Sequence, residues 1–121
     1  MSVEASNQAS NEPQAPEQQL QDIADLPAVE VIGRYAVDLL TVAAVQCGLA
    51  EDGRRGDLDE ARKLINATAG FITAAAADLG DHHARPLRDA LRQVQLAFRE
   101  ASAIKDAPGA GPGEKFTGPV N

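Results

Sequence analysis

The chain has little of what reactive or disulfide-stapled proteins need. It has one cysteine, Cys47, so no intrachain disulfide framework can form, and a lone thiol in an apolar stretch fits a reducing compartment. Tryptophan is absent, and three phenylalanines and one tyrosine are the whole aromatic complement. The first 25 residues carry no lysine or arginine and no apolar run, which is not the pattern of a secretory or transit peptide. No long uninterrupted hydrophobic run occurs either. The most apolar stretch, residues 27–45, is broken by Glu30, Arg34 and Asp38, whose charges are costly in hydrocarbon, so a soluble cytoplasmic helix is expected and not a membrane span.

Charge is unevenly placed within the net −7. Glu4, Glu12, Glu17, Asp22 and Asp25 make the first 25 residues an acidic arm, whereas residues 26–104 hold eleven acids against nine bases. An acidic arm on a nearly neutral body disfavours indiscriminate nucleic-acid binding. The arm is rich in Gln, Asn, Ser, Glu and Pro, and residues 1–24 are expected to be disordered. At the other end, residues 105–121 contain seven Gly or Pro and are expected to form a flexible tail.

Between these ends every periodic signal is helical. The fold class expected is all-α, a three-helix antiparallel bundle over residues 25–104, with helices at about 26–47, 57–79 and 86–104. Pro27 suits the first turn of the first helix and Gly48 its end. In the second, Asp57 with Glu60 three residues on reads as a capping box, and Leu58, Ala61, Ile65, Thr68, Ile72, Ala75 and Leu79 form an unbroken stripe. The third repeats that stripe at Leu87, Leu91, Val94, Phe98 and Ala101.

Three surfaces are candidate binding sites. The first helix is apolar over more of its circumference than two neighbours cover, so Val29, Ile32, Val37 and Leu40 are a candidate face for a homo-oligomer. Arg85, Arg88, Arg92 and Arg99 share a face of the third helix and form a candidate stripe for an acidic protein, or for RNA or the ribosome, since guanidinium forks match carboxylate and phosphate. Phe116 in the tail is a candidate recognition anchor, either for a groove on its own domain or for a partner.

No catalytic, cofactor-binding or metal residues are expected, and the chain does not read as an enzyme. The adjacent His82 and His83 diverge in direction, lack further ligands at metal spacing, and are assigned to the turn before the third helix. GAGPGEKFT, residues 109–117, has a glutamate before its lysine and no helix after it, unlike a phosphate-binding loop. Cys47 at a helix C-terminus reads as a small core residue.

The segments CGLA (47–50), DLDEARKLI (57–65), LAFREAS (96–102) and PGEKFTGPV (112–120) resemble a bacterial, mainly actinobacterial, domain-of-unknown-function family, DUF1844. The resemblance implies a small helical, non-secreted protein, often encoded near translation-initiation genes. It carries over no catalytic or ligand residues. Together these readings predict a small self-associating scaffold or adaptor, with an RNA- or ribosome-associated factor as the alternative.

Overall fold

A computed structural model of the protein describes residues 15–121. Its helices are α1 (Pro16–Ala24), α2 (Ala28–Ala44, prolonged by a π-helical turn at Val45–Leu49), α3 (Leu58–Leu79), α4 (Asp81–Ala101) and the single turn α5 (Glu114–Thr117). There is no strand among the described residues. The expected all-α class holds, with one helix more than expected before the bundle and a short one after it.

Helix α1 corrects the expectation of a disordered arm reaching residue 24. Pro16 occupies its first turn, where a missing N–H costs nothing, and its weakly apolar side packs Ile23 partly out of solvent. The part of the expected arm at residues 1–14 lies outside the described residues.

Helix α2 turns Ala36, Leu40, Ala43 and Cys47 inward at spacings of four, three and four. It ends at Gly48, as its glycine predicts, with φ at 91°, a left-handed conformation in which a side chain is strained. The loop that follows crosses close to the helix end. Gln46 Oε1 accepts the Asp57 N–H at 3.0 Å, and a Cβ on Gly56 would overlap the Gln46 carbonyl.

Asp57 caps α3 by accepting from the N–H groups of Asp59 and Glu60 at 3.0 and 3.3 Å. The reciprocal half of the capping box is not formed. Gln46 has taken the Asp57 N–H, and the Glu60 carboxylate pairs with Lys63 Nζ at 2.9 Å instead. Ala61, Ile65, Thr68, Ala69, Ile72 and Leu79 are buried, matching most of the expected stripe.

Gly80 alone joins α3 to α4, and α4 starts at Asp81, five residues before the expected Pro86. Pro86 therefore lies inside the helix, one turn from its start, where it forgoes a single backbone hydrogen bond. His82 and His83 belong to the first turn of α4 and not to a separate turn; both are exposed. At its other end α4 stops at Ala101, three residues before the expected Ile104. Ser102 is extended, and its hydroxyl bonds the Phe98 carbonyl at 2.7 Å.

Helices α2, α3 and α4 pack on one another in all three pairings. Their contact is lined by Leu40, Ile65, Ile72, Leu91 and Phe98 together with Ala36, Ala43, Ala61, Ala69 and Ala84, all five alanines fully buried. Alanine at the contacts lets helix axes approach closely, so a small core is filled without large side chains.

The segment after Ala101 is not a free tail. It returns across α3 and α4 and buries Pro112, Gly113, Glu114 and Val120. Composition misleads here because the segment is held by hydrogen bonds to helix side chains, which no local propensity reports.

Candidate functional site

The expected oligomer face on α2 is divided by the fold. Leu40 is 4% exposed and lies within the core, so it is unavailable to a second copy; Val29 and Ile32 are half-buried against that core. Val37 is half exposed, on the rim of an open cleft of about 420 Å³ that it shares with Gly33, Leu79 and Leu87.

The apolar excess of α2 lies on another line. Tyr35, Val42 and Leu49 are 39%, 48% and 60% exposed and are spaced by seven residues, with Val31 half-buried one turn before Tyr35. Seven residues make nearly two turns, so Tyr35 and Val42 stand in one row with Val31, whereas Leu49 ends the π-helical turn, just after the left-handed Gly48 and past the helical spacing that makes the row. Helix α1 extends this surface. Leu20, Ile23, Leu26, Val31 and Tyr35 line an open apolar cleft of about 380 Å³ between α1 and α2. The row was hidden in the sequence because the phase of α2 against the core cannot be set when nearly every face is apolar.

The tail site is built from helix side chains. Asn66 Oδ1 accepts the Gly113 N–H at 2.7 Å, and Gln95 Nε2 donates to the Pro112 carbonyl at 3.0 Å and to Thr117 Oγ1 at 3.1 Å. Glu114 closes the segment on itself: its carboxylate accepts from Gly111 N–H at 2.7 Å and Val120 N–H at 2.5 Å. Phe116, the candidate anchor, lies with its ring over Gly70, where a Cβ would be 3.1 Å from Cζ, yet it stays 41% exposed. Val120 is the more deeply buried of the two apolar tail residues.

Tail and arginine stripe meet. Arg92 Nη2 donates to the main-chain oxygen of Asn121 at 2.9 Å, and Arg99 Nη1 to that of Asp106 at 3.2 Å. Arg62 stacks on Phe98 at 4.9 Å from the ring centroid and pairs with the Asp106 carboxylate at 3.1 Å. Two of the four stripe arginines thus hold the chain's own tail, while Arg85 and Arg88 remain exposed.

The remaining candidates are the histidine pair and Cys47. The two imidazoles lie edge to face, 5.1 Å apart, and no group of three or more His, Cys, Asp or Glu among the described residues is placed to hold a metal ion. Burial pushes the Cys47 thiol above its ordinary pKa, which disfavours the thiolate. No helix among the described residues is long and apolar enough to cross a membrane.

These features define an all-α domain whose distinctive exposed chemistry is an apolar helix face. The chain belongs to the family described as Domain of unknown function (DUF1844), whose model matches residues 29–100. That span covers nearly all of α2, all of α3 and nearly all of α4, and leaves out α1 and the docked tail. No curated protein and no solved structure matches the chain.

Proposed function

We propose that this protein is a cytoplasmic, non-enzymatic scaffold or adaptor that works as a homo-oligomer, with copies joined along the exposed face of α2. The observation that carries this reading is the apolar surface along α2, where Tyr35 and Val42 stand two turns apart at 39% and 48% exposure and Leu49, just past the helix end, is 60% exposed among the described residues. Full burial of such a side chain is worth roughly 1.5–3 kcal/mol, and a symmetric contact covers each of them twice. The adjoining α1 cleft adds apolar area to the same surface.

The RNA- or ribosome-binding alternative has less support. Arg92 and Arg99 already bond main-chain oxygens of the tail, which leaves Arg85 and Arg88 as a short basic patch on a chain of net charge −7.

Light scattering on the full chain tests the reading. The wild type should exceed its 12.7 kDa monomer mass at roughly micromolar concentration. Val42→Glu should return it to monomer with its helicity kept. A wild type that stays monomeric over that range would sink the proposal.

A further inference from the structure

We infer that the face of α3 and α4 beneath residues 111–121 is a peptide-recognition site that reads a Pro-Gly-Glu segment, and that a second copy of the chain supplies this segment in trans when the chain's own is released. The inference is independent of the α2 contact proposed above. It starts from a single peptide unit. Gln95 Nε2 donates to the Pro112 carbonyl at 3.0 Å and Asn66 Oδ1 accepts the Gly113 N–H at 2.7 Å, so two helix side chains bind both polar ends of the 112–113 peptide bond.

Main-chain bonds supply affinity, and selectivity comes from the side chains that the surroundings admit. Gly113 has φ at 76°, and a Cβ on it would lie 2.9 Å from Ala69 Cβ, so the clamp passes glycine alone. Three residues on, the Phe116 ring lies over Gly70, whose missing side chain leaves it room. The segment also holds its own shape. The Glu114 carboxylate accepts the Gly111 and Val120 N–H groups, and the Phe116 N–H closes a turn on the Gly113 carbonyl at 3.0 Å. A segment preorganised in this way loses little freedom on docking, which is the property of a ligand.

Nothing in these contacts requires the covalent connection. Among the described residues the segment's hydrogen bonds to the body end on Asn66, Arg92 and Gln95 of α3 and α4. The connection itself is slight. Between Asp106, held by Arg62 and Arg99, and Gly111, the chain reverses in one exposed turn, closed by the Ala110 N–H on the Ala107 carbonyl at 2.9 Å. Pro108 and then Gly109, with φ at 85°, occupy its centre, the pattern of a type II turn. Opening that turn releases the segment with its internal bonds intact, and exchange with a second copy remakes the same bonds to the body. Within one chain the short connection keeps the segment at roughly millimolar effective concentration, so the isolated wild type closes on itself.

Complementation between two full-length chains tests the inference, both carrying Val42→Glu so that the α2 contact plays no part. One adds Gly113→Ala, which keeps the groove and unseats its own segment; the other adds Asn66→Ala with Gln95→Ala, which keeps the segment and removes the clamp. Light scattering should show a one-to-one complex in the mixture and a monomer for each chain alone. A dye-labelled peptide of residues 107–121 should bind the Gly113→Ala chain at least about tenfold more tightly than the wild type, whose own segment competes. The same peptide carrying Gly113→Ala should not bind. Peptide binding without a complex between chains would overturn the second copy as the source of the segment. Equal binding of the two peptides, or a Gly113→Ala chain whose Val120 amide stays protected from exchange, would overturn the reading of glycine. Loss of helicity in the Gly113→Ala chain by circular dichroism would make the segment part of the core and overturn the site altogether.

Discussion

Gly113→Ala is the sharpest test of the docked tail. Gly113 has φ at 76°, and a Cβ there would lie 2.9 Å from Ala69 Cβ, 3.0 Å from Gln95 Nε2 and 3.3 Å from Ile65 Cγ2. The left-handed conformation alone costs a side chain about 1–2 kcal/mol. Overpacking against Ala69 and Ile65, which sit on a helix in the middle of the core, adds about 1–3 kcal/mol. The loss has a ceiling. Once it exceeds the free energy of docking, the tail detaches, and only the docking free energy is lost. Gly109→Ala is the matched control, since Gly109 has φ at 85° but a Cβ on it would meet nothing within 4 Å. Thermal unfolding followed by circular dichroism should show Gly113→Ala lowered well beyond Gly109→Ala, at about 4 °C or more for each kcal/mol lost. Amide exchange at Val120 should accelerate in the first variant and not in the second. Equal melting temperatures with Val120 still protected would refute the close-approach argument.

Glu114→Ala should also loosen the tail, because it removes the acceptor of two N–H groups, and a buried unpaired donor costs about 1–3 kcal/mol. Calorimetry should show a lower melting temperature, and an unchanged melt would count against the latch. Leu40→Glu should unfold the domain while Val42→Glu leaves it folded, one carboxylate falling in the core and the other on the surface, as far-ultraviolet circular dichroism will distinguish. Cys47 should react with a disulfide reagent only as fast as the fold opens, since burial raises its pKa and limits access; instant reaction of the native protein would contradict its placement.

Local chemistry was legible where one residue decides the outcome. Gly48 ends α2, Asp57 caps α3, and the three-and-four spacing from Ala61 to Leu79 marks a buried face. Pro86 misled because a proline one turn inside a helix resembles one at its start. The apolar excess of α2 was readable as a quantity, but its placement on Leu40 was not right, since on a helix apolar nearly all round only the positions of α3 and α4 choose the inward face. The tail was the least legible part. Asn66 and Gly113 are 47 residues apart, and the bond between them leaves no periodic trace in a stretch whose glycines and prolines read as flexible.

The central claim is that copies of the chain meet on the exposed face of α2. Isotope-filtered NMR on an equal mixture of labelled and unlabelled full-length chains observes that contact directly, because only protons of different copies contribute to the filtered spectrum. The account predicts intermolecular cross-peaks from the Tyr35 ring and from the Val31, Val42 and Leu49 methyl groups, with none from Leu40 or Ile65. An empty filtered spectrum at a concentration where light scattering reports the monomer mass, or cross-peaks confined to α3 and α4, would contradict it.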